Sequence, residues 1–250
     1  MRESLKRIGT LTLRNLKEIA RDPLSLVFTV LMPLFMEILF YFIFHNLTSQ
    51  FEMKYLAPGI VVFSHSFLTL FTGLLISLDR NTSFLTRLYV SKARSFEFII
   101  SYAVAVLPIA LLQALLFFIV GGLFDTSLFC PGMLLAVALS LVTALFFIAS
   151  GILLGSLCGE KSIGGVASAL IAGQSVLSGM WFPVEGLDPA MIAVMDALPF
   201  RNATQLIQNA LNGTDDPAHG ILIPMLIVLA YTAAAFAAAV AVFGAKMRSN

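Results

Sequence analysis

Six stretches of this 250-residue chain are long, apolar and free of lysine and arginine: residues 24–44, 58–78, 98–120, 133–157, 163–182 and 221–243. A helix crossing the hydrocarbon of a bilayer needs about 20 predominantly apolar residues at 1.5 Å of rise each. The six stretches contain one carboxylate, Glu37, and one imidazole, His65. A soluble domain would carry about 25% charged residues. Here 12% are charged, 59% are hydrophobic and the mean hydropathy is +0.94. The expected fold class is therefore an all-α integral membrane protein with six transmembrane helices, formed by residues 23–250 and preceded by a separate N-terminal segment, residues 1–22. The first apolar run begins only at Leu24, behind a charged segment and with no small-residue cleavage site after it, so no signal peptide is expected.

Orientation follows from where the basic residues fall, since lysine and arginine mark the cytoplasmic side. An even number of spans puts both termini on one side. That side collects every lysine and arginine of the chain except Lys54 and Arg201. Both termini are expected in the cytoplasm, in a multi-pass protein of the cell membrane. Cys130 and Cys158 then fall at opposite faces and cannot pair within the chain.

The segment before Pro23 is too charged to span. At 100° per residue, Leu5, Ile8, Leu13, Leu16, Ile19 and Ala20 fall within about 140°, opposite Lys6, Arg7, Arg14, Lys17 and Arg21. That pattern predicts a helix lying in the membrane interface; Leu11 breaks it. On the same side, residues 79–96 form a connection longer than the roughly 2–8 residues a helical hairpin requires. Phe84, Leu85 and Leu88 have helical spacing beside Arg80, Arg87 and Lys92, which suits a short amphipathic helix. Residues 158–162 make a tight hairpin. Beyond the fifth span, Pro183, Pro189, Pro199 and Pro217 punctuate a stretch in which residues 191–198 and 202–211 read as short amphipathic helices. Such helices can re-enter the outer leaflet only where protein buries their backbone.

Nothing in the sequence supports catalysis. Residues 155–162 (GSLCGEKS) imitate a phosphate loop, but Glu160 stands where a glycine should cradle phosphate and no strand precedes it. The three histidines are scattered, no metal-ligand spacing occurs, and no serine lies in a GxSxG turn. No cofactor and no nucleic-acid partner are expected for this chain. The glycosylation-type triplets at Asn46, Asn202 and Asn212 are weak signals.

Glu37 stands apart, because a carboxylate in hydrocarbon carries a penalty of about 2.5–3.5 kcal/mol and tends to face protein or water. Counted from the span midpoints, Glu37 and His65 lie at similar depth. Two readings follow: the pair approach each other or share a polar cavity, or Glu37 is neutral and bonded to a nearby carbonyl. His65, Thr69 and Thr72 share one face of the second span, and Gln174, Ser175 and Ser178 cluster in the fifth; both stripes could line a path. Gly151, Gly155 and Gly159, like Gly165, Ala169 and Gly173, repeat every four residues, a spacing that lets helices pack closely in lipid.

Several segments together resemble the permeases of the ABC-2 type. They are Arg21-Asp22-Pro23 closing the N-terminal helix, Pro33 in the first span, and Tyr55-Leu56-Ala57-Pro58-Gly59-Ile60 opening the second. Asp79-Arg80 and then Phe84-Leu85-Thr86-Arg87-Leu88-Tyr89-Val90-Ser91 follow in the loop. The fifth span ends Ser178-Gly179-Met180-Trp181-Phe182-Pro183, with Leu198-Pro199 beyond. The loop departs from the family pattern at Ser83 and Lys92. The resemblance implies a half-transporter that forms a homodimer or heterodimer and docks on a cytoplasmic ATP-binding-cassette subunit, which binds ATP and Mg. It implies ATPase-coupling contacts at Arg14, Lys17, Arg80, Thr82, Leu85, Arg87, Leu88, Glu160 and Lys161. It also implies a substrate path and gate at Glu37, His65, Thr69, Thr72, Gln174, Ser175, Leu177, Ser178 and Phe182. Export is the direction it favours. The competing class is a secondary transporter using Glu37 as an ion or proton site; no internal repeat supports it.

Overall fold

The computed structural model describes residues 2–81, 95–184 and 186–249. Among the described residues, nine α-helices follow one another: α1 (Arg2–Ala20), α2 (Pro23–Phe44), α3 (Met53–Asn81), α4 (Ser95–Phe124), α5 (Pro131–Leu157), α6 (Glu160–Leu177), α7 (Pro189–Ala197), α8 (Pro199–Asn212) and α9 (Ile223–Ser249). Single 3-10 turns at Ser49–Phe51 and Thr126–Leu128 close two hairpins, and a π-helical turn at Ala218–Leu222 leads into α9. No strand occurs among the described residues.

Among the described residues, five helices are long and apolar enough to cross a membrane: Leu26–Phe44, Met53–Arg80, Ser95–Phe124, Pro131–Leu157 and Ala218–Ala245. The chain is an all-α, multi-pass membrane protein. The expected fifth span, residues 163–182, comes out differently. Its helix, α6, starts earlier at Glu160 and stops at Leu177, and its 18 residues give about 27 Å. Gly179 ends it: with φ at +68° the backbone is in the left-handed region, where a side chain would clash and a helix cannot continue. Glu160, Lys161 and Gln174 leave α6 less apolar than the other five.

The basic residues Arg7, Arg14, Arg80 and Lys161 define one end of the bundle, called here the basic end; Lys54 and Arg201 lie at the other. α3 is the hub, packing on α2, α4, α5, α6 and α8. Its closest seam is with α5, and glycine makes that seam possible. A Cβ on Gly151 would lie 2.6 Å from the Thr69 carbonyl oxygen, and one on Gly155 would lie 2.6 Å from that of Gly73. The expected small-residue packing therefore holds for these two glycines. It fails for the rest, since Gly159, Gly165 and Gly173 all face open space.

The segment beyond α6 folds back into the bundle. Asp188 caps α7 by accepting from the Ala190 amide at 2.8 Å, with Pro189 in the first turn where its missing amide hydrogen is no loss. α8 is wedged among α3, α5 and α9, burying Ala203, Leu206, Ile207 and Ala210. Its polar residues serve the wedge: Gln208 donates to the Tyr55 carbonyl (3.1 Å) and Asn202 to those of Asp196 and Leu198 (2.7 Å each). Asn202 is thus an internal tie in this fold. Cys130 and Cys158 flank the two ends of α5 and are both free, as their separation requires.

Candidate functional site

Three places gather polar chemistry, and the first is the basic end. α1 lies across α4 and presents three faces. Ser4, Arg7, Ile8, Leu11, Thr12, Asn15 and Ile19 turn toward the bundle; Leu5 and Leu13 are exposed; Lys6, Lys17 and Arg21 form an exposed basic strip. The bundle-facing side is therefore more polar than the predicted apolar arc, and Leu11, which broke that arc, packs into the core. Arg14 reaches inward and grips Asp79 with two bonds, NH1 to Oδ2 and NH2 to Oδ1, each 2.5 Å. The Tyr102 hydroxyl donates to the same carboxylate. Seven residues earlier Arg7 holds Glu97, its NH2 at 3.1 Å and its Nε at 3.1 Å, while the Ser4 hydroxyl donates to Glu97 at 2.5 Å. Asp79 and Glu97 are each 1% exposed.

Burial works against the Arg14 charge, but the hydrogen bond and attraction from Asp79 outweigh it and hold its pKa above the ordinary arginine value. Glu18, 2.8 Å from Arg14, titrates above the usual carboxylate range, through desolvation first and then repulsion from Asp79. Arg80 also turns inward. Its NH1 donates to the carbonyls of Gly155 (2.9 Å), Ser156 (2.8 Å) and Cys158 (3.0 Å), closing the C-terminal end of α5, where a helix leaves carbonyls unpaired. Of the expected coupling residues, Arg14 and Arg80 thus bind the bundle itself, whereas Lys17, Glu160 and Lys161 are exposed. Thr82, Leu85, Arg87 and Leu88 lie outside the described residues. Arg80→Ala is expected to fray the end of α5 and lower stability by about 2–4 kcal/mol, given that charge-assisted bonds are each worth about 1.5–3; the thermal unfolding midpoint of the detergent-purified chain measures it.

The second place is the α3–α5 seam. His65, Thr69 and Thr72 are fully buried there, and none of them lines the two cavities beside α2 described next. The His65 Nε2 hydrogen points to the Ala110 carbonyl (3.3 Å), which leaves Nδ1 to accept from the Thr143 hydroxyl (3.1 Å). Thr69 donates to the Phe147 carbonyl at 3.0 Å. This stripe stitches helices together. The face of α3 that meets a cavity is the adjacent one: Phe67, Leu70, Phe71 and Leu74, with Phe28, Thr29 and Met32 of α2, enclose about 310 Å³. A cavity of about 250 Å³ shares Phe71 and Leu74 and runs on to Glu18 and Asp22 at the basic end.

Glu37 does not meet His65. It is fully buried near the opposite end, beside Gly121, where a Cβ would lie 3.2 Å from its Oε1 and 3.3 Å from the Ala57 Cβ, and neither carboxylate oxygen has a hydrogen-bond partner. Along α3, Ala57 and His65 are eight residues apart, about 12 Å. The equal-depth estimate failed because α3 begins at Met53 rather than at Pro58, so the hairpin folds back about a point farther from His65.

The third place is where α6 ends. Gln174 is fully buried, with neither side-chain polar atom bonded. Ser175 accepts from the Trp181 indole at 2.7 Å, and the Trp181 ring stacks near Phe40 (4.6 Å) and Phe63 (5.8 Å). The Met180 amide donates to the Ser178 hydroxyl. Leu177 and Phe182 are half-buried beside them. Gln50 ties this plug to the hairpin of α2 and α3 by donating to the Gly179 (2.9 Å) and Met180 (3.2 Å) carbonyls. The structure thus brings Gln174, Ser175, Ser178 and Phe182 together where α6 ends. Asp79, Glu97, Tyr102 and Gln50 were missed. The first two sat at the edges of hydrophobic windows, where they read as loop residues.

The chain belongs to the ABC-2 type transporter family, whose model matches residues 6–212, from α1 to the end of α8. A comparison with individually curated proteins gives no match.

Proposed function

We propose that the chain is the permease subunit of an ATP-driven exporter, forming the substrate path and receiving motion from a separate cytoplasmic ATPase. The observation that carries this reading is the family match across α1 as well as the spans, because α1 is the element laid crosswise on the basic end. In this reading α6 is the sixth span, shortened on the side opposite the basic end where the Trp181 plug and the re-entrant pair α7–α8 take over. Both termini are cytoplasmic in the cell membrane, and two copies, or one copy with a related chain, complete the transporter. ATP and Mg belong to the partner subunit. The exposed strip Lys6, Lys17 and Arg21, with Glu160, Lys161 and residues 82–94, supplies the docking face. The groove between α2 and α3 supplies an apolar, aromatic wall for an amphipathic substrate, and the plug at 177–182 gates its exit.

The test is co-purification of the full chain with its ATPase, followed by ATP hydrolysis in lipid nanodiscs. Arg87→Ala and Leu88→Asp are expected to leave assembly intact and remove the response of hydrolysis to substrate. Wild-type coupling in both variants would end the docking assignment. A secondary transporter is favoured by one observation, the unpartnered buried Glu37; transport driven by an ion gradient without ATP would establish it.

A further inference from the structure

We infer that α1 and the basic-end tips of α3 and α4 are locked into one rigid unit by a two-point latch, Arg14 on Asp79 and Arg7 on Glu97, and that this unit carries ATPase movement into the bundle. The inference rests on the coupling reading above and names its positioning residues.

The two carboxylates bracket the connection between α3 and α4: Asp79 lies at the end of one helix, Glu97 at the start of the other. Whatever docks at residues 82–94 must therefore pull on these two roots. Arg7 and Arg14 are two helical turns apart, so both project from the same side of α1. Arg14 grips its carboxylate with two bonds, which fixes direction as well as distance, while Arg7 donates one bond to Glu97 and adds an ion-pair contact from Nε at 3.1 Å.

The seam between the two grips is polar as well. Asn15 donates to the Ser101 hydroxyl at 3.3 Å, and Thr12 points its hydroxyl at the Ser101 carbonyl at 3.5 Å. An apolar seam can slide by a fraction of a turn and lose little. A seam of directed bonds between buried groups has one register, because any slip strands charges away from water. By contrast α1 joins α2 through the short turn at Arg21 and Asp22 and packs on it only lightly. Force applied to α1 or to the 82–94 connection thus reaches the same three elements. The latch stays closed through turnover, and movement of the unit passes on to α5 through α3, whose Arg80 caps the end of α5.

The experiment uses the full chain with its co-purified ATPase in nanodiscs, and Trp181, the only tryptophan of the chain, as reporter at the far end. The signal is the fluorescence change on adding MgATP and vanadate that Trp181→Phe abolishes. Asp79→Asn with Glu97→Gln, which keeps shape and removes charge, is expected to reduce this signal about tenfold, the scale of a typical coupling free energy, while the ATPase still co-purifies. Arg14→Asp with Asp79→Arg should recover most of it. In a background with Cys130→Ser and Cys158→Ser, oxidising an Asn15→Cys/Ser101→Cys pair across the seam should leave the signal intact. Loss of the signal on cross-linking would mean that the seam must slide and would overturn the latch. So would a full signal in the Asn/Gln variant. A wild-type complex that forms but gives no ATP-dependent signal overturns the coupling reading itself, a failure visible before any variant is made.

Discussion

Gly151→Leu is expected to destroy the α3–α5 seam and lower stability by at least about 3 kcal/mol, the upper end of the usual overpacking penalty. The reason is what the first added atom meets. A Cβ at position 151 stands 2.6 Å from the Thr69 carbonyl oxygen and 3.0 Å from the Thr69 Cα. Both are backbone, so no rotamer change relieves the clash and the helices must separate. Separation would undo Thr69 on Phe147 and His65 on Thr143, and it would draw the Arg80 cap away from α5. Helix association in lipid has little hydrophobic drive and depends on close contact, so the loss is not recovered by apolar burial elsewhere. Gly155→Leu, against Gly73, should behave alike, whereas Gly159→Leu, which faces open space, should be nearly neutral. The measurement is the thermal unfolding midpoint of the purified chain in one detergent. A Gly151→Leu midpoint equal to that of Gly159→Leu would refute the argument.

The same contrast shows what could be read from the sequence. Small residues every fourth position in an apolar helix advertise close packing, but the spacing at Gly151 and Gly155 is no different from that at Gly165, Ala169 and Gly173. Only the three-dimensional arrangement gives the first pair a partner and leaves the second without one within the chain. Helix positions were legible because the transfer of a peptide into lipid is a sum over about 20 residues, and such a sum tolerates errors at either end. The polar ends were not legible for the same reason. A hydropathy window discards Asp79 and Glu97 as flanks, although each is only 1% exposed while Leu78, next to Asp79, is 44% exposed. Likewise α1 looked two-faced from its periodicity. It has a third, bundle-facing side built from Thr12 and Asn15, and nothing in amphipathicity separates a polar residue facing water from one facing a buried serine.

Arg14 and Arg80 illustrate a further limit. Basic residues at one end of a bundle were read as a docking surface, and charge count alone supports that reading. Geometry divides them: a planar guanidinium with several donors can satisfy a buried carboxylate or a helix terminus, and these two do so. Lysines cannot match that fork, and Lys17 and Lys161 remain exposed. The docking face proposed above is therefore smaller than the basic face, and it is enriched in lysine.

Glu37 gives the second large effect, with opposite signs for two substitutions. Glu37→Leu is expected to stabilise the purified chain by about 1–3 kcal/mol, the penalty of a buried polar group left without a partner. Leucine fills a similar volume, and Gly121 beside the carboxylate, with Leu128 and Ala57 packed against that glycine, offers no polar side chain. Glu37→Arg should do the reverse and cost about 3 kcal/mol or more, since it places a longer, obligatory charge in a site with no exposure. Folding alone would thus favour replacing this glutamate, and a residue kept against the demands of the fold is where function is expected. Transport by the Glu37→Leu complex should accordingly fall about tenfold while its unfolding midpoint rises, a combination that loss of structure cannot produce. Midpoint and transport measured on the same preparation decide it. A stabilised Glu37→Leu complex that transports like wild type would leave Glu37 without a role in the path. A destabilised one would mean that the carboxylate has a partner the fold depends on, and the sign argued here would be wrong.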